Sequence, residues 1–293
     1  MDIKVAERAG FCFGVKNAVE TAYLLADMFR TDEYRGKKLV TLGPIIHNER
    51  VIDSLKERGV VAVNRIDDID SDTTVIIRSH GVPRGIIDEL EKRKIPYHDC
   101  TCPFVKKIHR VVSEHSELGE EIVIVGSPDH PEVIGILGWS KNGGTVIESI
   151  EQAEAFKPEK SGVSVCVVAQ TTFNSKKFQD FVEIFSKKEY DINVVNTICH
   201  ATRERQDEAE AMAGAVDAMI VIGGADSSNS KKLYDICKLQ CENTFFIQTA
   251  DAIGDIPIEA FASLGITAGA STPNTLIQEV LKACQRKRVS RSY

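Results

Sequence analysis

Residues 98–109 read HDCTCPFVKKIH. An apolar run at residues 95–97 precedes them and predicts a strand. Pro103 opens a run of helical spacing, and proline is favoured at a first helical position, where its missing N–H costs no hydrogen bond. Cys102 therefore falls between a strand and a helix, where unpaired backbone N–H groups and the positive end of the helix dipole favour thiolate. The placement occurs twice more. Cys12 lies in ERAGFCFGVKNAVETA, after the strand-like residues 3–5, and Cys199 lies in VVNTICHATRERQDEAEAM, after residues 192–195. The three cysteines stand 90 and 97 positions apart. This spacing predicts three α/β units, each giving one cysteine to a common centre.

The intervening sequence repeats with the cysteines. After each comes a helical stretch, then a strand that ends in a polar turn containing glycine: LVTLGPIIHNE (39–49), IVIVGSPDHPE (122–132) and MIVIGGADSSNS (219–230). A helix and a second strand follow, then a third strand that ends in another small-residue turn: VIIRSHGVP (75–83), VCVVAQTTFNS (165–175) and ITAGASTPN (266–274). His80, Thr171 and Ser271 fall 68, 69 and 72 positions after their cysteines. Periods of this length mark repeated domains rather than a solenoid. Strands alternating with helices predict parallel sheets covered on both faces.

In the first two units a fourth strand leads into the next cysteine. The third unit has none after Ser271, so the N-terminal strand is expected to fill that place and close the chain on itself. The expected fold is α/β, with three similar units, each holding a four-stranded, mainly parallel sheet, arranged as a pseudo-threefold trefoil around a central cavity. The expected boundaries are 12–97, 98–195 and 196–285, with residues 1–11 completing the third unit. Residues 286–293, RKRVSRSY, are basic and polar and are expected to form a frayed terminus or a linker. Ligands of parallel α/β sheets bind beyond the carboxyl ends of the strands, and every polar turn above lies at such an end.

At 293 residues, with 43% hydrophobic and 27% charged residues, the composition is that of a soluble globular protein of two or three domains. The formal charge of −7 disfavours nucleic-acid or membrane-surface binding. No apolar leader or spanning run is visible, so cytoplasm is the expected location. Eight cysteines without a secretory signal point to metal ligation or catalysis before disulfides.

Three thiolates from separate units suit zinc with a fourth ligand, or an iron–sulfur cluster that leaves one iron open. Cys166, Cys237, Cys241 and Cys284 read as core, and Cys100 is ambiguous. The turns carry His47, His80, His130 with Glu132, Thr171, Ser227, Ser228, Asn229 and Ser271. Imidazole, hydroxyl and amide donors with helix N-termini suit an anionic oxygen ligand such as phosphate. Helix capping is the plainer reading of Ser227, Asn229 and Ser271. Glu132 is the one carboxylate expected in the cavity as a proton donor; its plainer reading is a first-turn glutamate stabilised by the helix dipole. His98, His109, His115 and His200 occupy less pointed places. Neither a G-x-x-x-x-G-K-[ST] loop nor a G-x-G-x-x-G fingerprint is present, so ATP and NAD are not expected.

The motifs GFCFGV, GPIIHN, RSHGV, TCP, HPE, QTT, SSNS and GAST, in order from Cys12 to Ser271, resemble those of the 4-hydroxy-3-methylbut-2-enyl diphosphate reductases, the last enzymes of the methylerythritol phosphate route to isoprenoids. The resemblance implies one 4Fe–4S cluster held by Cys12, Cys102 and Cys199, with the substrate hydroxyl on the open iron. It implies that His47, His80, His130, Ser227, Ser228, Asn229 and Ser271 hold the diphosphate. Glu132, with Thr171 and His130 beside it, would relay protons. Ferredoxin or flavodoxin is the implied electron donor, and a monomer is expected. Some relatives carry an appended RNA-binding domain, and the residues after Ser271 are too few for one. Two rivals are a hydro-lyase of the aconitase kind, which needs no reductant, and a non-catalytic iron–sulfur or zinc sensor, which needs no polar pocket.

Overall fold

A computed structural model describes residues 2–159 and 162–289. Its elements alternate along the chain. They begin with β1 (Asp2–Val5), α1 (Phe13–Met28), β2 (Lys38–Leu42), α2 (Glu49–Glu57), β3 (Val61–Val63), β4 (Thr73–Ile77), α3 (Arg84–Lys92) and β5 (Tyr97–Asp99). There follow α4 (Pro103–Glu117), β6 (Glu121–Val125), α5 (Pro131–Leu137), β7 (Thr145–Ile147), α6 (Ile150–Ala155), β8 (Val165–Ala169), α7 (Ser175–Ser186) and β9 (Ile192–Val194). The chain finishes with α8 (His200–Ala213), β10 (Ala218–Ile222), α9 (Ser228–Gln240), β11 (Thr244–Ile247), β12 (Ser263–Ala268) and α10 (Asn274–Val289).

The strands form three four-stranded parallel sheets, ordered β5-β4-β2-β3, β9-β8-β6-β7 and β1-β12-β10-β11. Each has the same internal order: the strand that leads to a cysteine, then the third, first and second strands of a repeat. The third sheet shows the expected closure. β1 pairs in parallel with β12, Ile3 opposite Leu264 and Val5 opposite Ile266. The N-terminal strand stands where β5 and β9 stand in the other two sheets.

By contact the chain divides into two compact units, one of residues 1–15, 47–49 and 200–293, the other of residues 16–46 and 50–199. The first holds the β1-β12-β10-β11 sheet and the second holds the other two. Within the first, alternate residues of β10 and β12 point to opposite faces. Ile220, Ile222, Leu264 and Ile266 pack with Leu276, Ile277 and Val280 of α10. Met219 and Val221 pack with Ala209 and Ala213 of α8 and Leu233 and Cys237 of α9. Both faces are covered, which is why β10 reads AMIVI without polar alternation. Within the second unit, Val123, Val125, Val165 and Val167 meet Phe178, Phe181 and Phe185 of α7. Ile122, Ile124 and Val168 meet Ile108 and Val112 of α4 and Val133 and Ile136 of α5. Truncating one such phenylalanine to alanine costs about 3–5 kcal/mol.

Two expectations are corrected. The strand before Cys102 spans 97–99 rather than 95–97. Pro96 has no N–H for the ladder; its carbonyl accepts from Val75, and the paired residues begin at Tyr97. Of the tail expected to fray, residues 286–289 continue α10. Lys287 anchors that turn, its Nζ donating to the carbonyls of Ile253, Gly254 and Ile256 at 3.0, 2.7 and 2.7 Å. The rest of the tail, residues 290–293, lies outside the described residues.

Candidate active site

Each of the three cysteines ends a loop and begins a helix. α1, α4 and α8 start at the next residue, Phe13, Pro103 and His200, and Cys102 is the N-cap of α4. The Cys12 N–H donates to Ala270 O (3.3 Å), the Cys102 N–H to Ser79 O (2.9 Å) and the Cys199 N–H to Thr171 O (3.1 Å). In each case the acceptor lies in the turn after the third strand, so backbone bonds fix each cysteine to the turn carrying Ser271, His80 or Thr171. All eight cysteines are free of disulfides. Cys12, Cys102 and Cys199 are partly exposed, and the other five are buried. Burial pushes the Cys100 and Cys284 thiols up to about 11 and those of Cys166 and Cys237 up to about 12. Those four are held as thiols at neutral pH, and a buried protonated thiol is a packing group. Cys100, ambiguous in the sequence, joins the core, its side chain hydrogen-bonded to Thr21.

In the second unit, His80, His130, Glu132, Thr171, Cys102 and Cys199 all lie at carboxyl ends of strands. His130 caps α5: its Nδ1 accepts from the Glu132 N–H at 3.1 Å. A ring nitrogen that accepts is unprotonated, so Nε2 carries the proton. The His80 and His130 rings meet edge to face, with centroids 5.5 Å apart. Glu132 is 2% exposed. Its carboxylate accepts from the Thr171 N–H (2.6 Å) and from Thr171 Oγ1 (2.8 Å). The plainer reading, a first-turn glutamate beside the helix dipole, is thus only part of its setting, because a buried carboxylate tied to a second strand is not a solvated helix end.

In the first unit, His47, Ser227 and Ser271 come together, with Ser228 and Asn229 next in the chain on the first turn of α9. Ser271 Oγ donates to His47 O (3.3 Å) and lies 3.4 Å from Ser227 Oγ. Gly224 is needed here: a Cβ on it would lie 2.7 Å from His47 O. The capping expectation holds for Ser227, whose Oγ accepts from the Ser230 N–H at 3.3 Å. It does not account for Asn229, which is 7% exposed and whose Nδ2 has no hydrogen-bond partner. A buried orphan donor costs about 1–3 kcal/mol. An anionic oxygen ligand between these turns would satisfy it, so these residues fit such a group. Ser228 begins α9 and is partly buried.

Sequence reasoning missed the residues that hold these loops. Arg205 of α8 is 3% exposed and donates through Nε to Arg8 O (2.8 Å) and through Nη2 to Gly10 O (2.6 Å), fixing the approach to Cys12. Thr197 Oγ1 accepts from Ala169 N–H (2.8 Å) and donates to Ala169 O (2.5 Å), fixing the approach to Cys199. His109, set aside in the sequence, is buried against Gly81 beside His80. An arginine at a helix position otherwise rich in acids was the one visible signal. The others had none.

Reactive groups on the loops of parallel sheets, with thiols at helix N-termini and a buried carboxylate held by a hydroxyl, make this an enzyme of the α/β class. The model of the LytB protein family matches residues 3–285, and the chain belongs to that family. It is 44% identical over 281 residues to the 4-hydroxy-3-methylbut-2-enyl diphosphate reductase of Clostridioides difficile (strain 630), covering 96% of this chain and 98% of the relative. It is 41% identical over 286 residues to the reductase of the same name from Geotalea uraniireducens (strain Rf4), covering 98% of each. A solved structure of (E)-4-hydroxy-3-methyl-but-2-enyl diphosphate reductase, described as the terminal enzyme of the non-mevalonate pathway, aligns with a TM-score of 0.68 and 40% identity over 98% of this chain and all of that one. The fold of the Plasmodium falciparum E-1-hydroxy-2-methyl-but-2-enyl-4-diphosphate reductase aligns with a TM-score of 0.88 at 24% identity, covering 96% of this chain and 87% of that one.

Proposed function

We infer that the chain is a 4-hydroxy-3-methylbut-2-enyl diphosphate reductase. It removes the substrate hydroxyl as water with two electrons and two protons, giving isopentenyl and dimethylallyl diphosphates. The single observation that carries the site assignment is that Cys12, Cys102 and Cys199 take the same place in three sheets of identical strand order. That equivalence supports the division at 12–97, 98–195 and 196–285, with residues 1–11 completing the third part.

On this reading the thiolates of Cys12, Cys102 and Cys199 would hold a 4Fe–4S cluster. Their softness, partial exposure and helix N-terminal setting fit it. A bound cluster would supply the electrons and Lewis acidity towards the substrate hydroxyl. His47, Ser227, Ser228, Asn229 and Ser271 bind the diphosphate, with the orphan Nδ2 of Asn229 as one donor. His80 and His130 complete that binding. Glu132 delivers a proton to the departing oxygen, and Thr171 Oγ1, 2.8 Å from the carboxylate, passes the proton or orients the acid. Ferredoxin or flavodoxin supplies the electrons, and the enzyme works as a monomer in the cytoplasm. Among the described residues no helix is long and apolar enough to cross a membrane.

The test is anaerobic purification with iron and sulfide analysis, followed by assay with the diphosphate substrate and a reduced donor. Four irons per chain and turnover that stops without reductant are expected. Turnover without reductant would instead favour the hydro-lyase, and a cluster with no diphosphate binding would favour the sensor.

A further inference from the structure

The turn that carries His80 is held from behind by side chains outside the proposed chemistry. Gly81 has φ +73°, a left-handed conformation that favours glycine. Its bare Cα faces the His109 ring, and a Cβ there would lie 2.6 Å from Cε1 and 3.2 Å from Nε2. His109 is 4% exposed, and its Nε2 has no hydrogen-bond partner. Its ring stacks on the Trp139 indole, with centroids 4.9 Å apart and planes 14° from parallel. Trp139 Nε1 donates to Val82 O at 2.9 Å. The next residues are tied to the same place: Pro83 packs on Gly138, where a Cβ would lie 2.4 Å away, and the Arg84 N–H donates to Gly138 O at 3.2 Å. The Arg84 guanidinium lies over the same indole, 5.4 Å from its centroid.

The two stacked rings belong to the elements that carry the other site groups. His109 lies two turns into α4, whose N-cap is Cys102. Trp139 follows α5, whose N-cap is His130 and whose first turn holds Glu132. We propose that the His109–Trp139 stack is a positioning brace: it sets the His80 turn against the helices that begin at Cys102 and His130, and so fixes the separation of His80 from His130. Burial also lowers the His109 pKa to about 4, so a neutral ring makes the stack at working pH. This inference rests on His80 being a diphosphate ligand, as proposed above.

Bonds to a bound diphosphate are made in ground and transition states alike, so a misplaced His80 raises KM and leaves kcat nearly unchanged. The experiment measures both in the holoenzyme, with iron per chain, for Trp139→Phe, His109→Phe, His109→Ala and His80→Ala. Trp139→Phe keeps a stacking ring and loses the bond to Val82 O, with part of the ring surface under Arg84. Its KM should rise about 3- to 10-fold, the usual effect of one hydrogen bond. His109→Phe should stay within about 2-fold of the parent, because an aromatic ring of similar size restores the stack. His109→Ala should raise KM about 10-fold. Combined with His80→Ala, neither His109→Ala nor Trp139→Phe should add further to the KM of His80→Ala, since coupled residues are not additive.

Parent KM in Trp139→Phe overturns the brace, and so does His109→Phe as impaired as His109→Ala. Full additivity with His80→Ala overturns it too. If His109→Ala does not fold, Trp139→Phe and its double variant decide alone. Parent KM in His80→Ala would instead remove the diphosphate reading of His80, a separate failure.

Discussion

The Glu132 carboxylate takes both the backbone N–H and the hydroxyl of Thr171, at 2.6 and 2.8 Å. Hydroxide is a poor leaving group, so a proton must reach the substrate oxygen from an acid. Glu132→Gln keeps an oxygen to accept the Thr171 N–H and an amide facing Thr171 Oγ1, but has no exchangeable acid. Turnover should fall by about 10²–10⁴-fold, the usual worth of general acid catalysis. Iron content and diphosphate affinity should hold. Single-turnover kinetics under anaerobic conditions, with iron analysis beside them, measure this, and parent-rate turnover would place the proton donor elsewhere.

Replacing Cys12, Cys102 or Cys199 by serine exchanges a soft thiolate for a harder oxygen ligand. Iron per chain should drop below half and activity should vanish. Cys166→Ser and Cys284→Ser put a hydroxyl where burial already holds a neutral thiol, so they should cost about 1–3 kcal/mol of stability and leave iron unchanged. Iron assays on the five variants, with thermal melts, separate the two groups. A Cys199→Ser enzyme with full iron and full turnover would remove that cysteine from the ligand set.

Deleting residues 1–7 removes β1 and leaves β12 as an unpaired edge. It also removes the Glu7 N–H, one of two that Glu208 of α8 accepts, at 2.7 and 2.8 Å for Glu7 and Arg8. Amide protons of β12 and of Ile220 in neighbouring β10 should exchange faster, by about 10-fold or more. Hydrogen exchange followed by mass spectrometry reads this directly. Unchanged protection at Ile220 would mean that β1 is dispensable to its sheet.

His109 also gives a pH dependence of definite sign. Burial lowers its pKa from 6.5 to about 4; Asp99 opposes that shift and Lys106 adds to it. Between those two values the unfolded chain binds the proton and the folded chain does not. The contribution is therefore complete above about pH 6.5 and is lost progressively as pH falls towards 4, by roughly 3 kcal/mol in all. His109→Phe should flatten that part of the curve. Thermal midpoints of the anaerobic parent and variant at pH 7 and 5 test it, and equal slopes would show that His109 is protonated in the fold.

Local physics made much of this protein readable. A proline after Cys102, an apolar run before it and the same junction near Cys12 and Cys199 were enough to put three thiols at helix N-termini. Runs such as AMIVI and VCVVA, short and bounded by turns, read as strands covered on both faces, and a third repeat short of one strand called for β1 as its partner. These features depend on spacing along the chain, which one sequence displays. What tertiary structure decided depends on contacts between residues far apart. Arg205 meets Gly10 across 195 positions, and Trp139 meets Val82 across 57. The ring that touches Gly81 could have been any buried residue of α4. No local rule marks a histidine as a packing ring or an arginine as a loop anchor, because burial and partner are set only when the elements pack. The same holds for Asn229: capping and ligand binding draw on one residue type at one kind of turn, and only an unpartnered Nδ2 in the folded chain tells them apart.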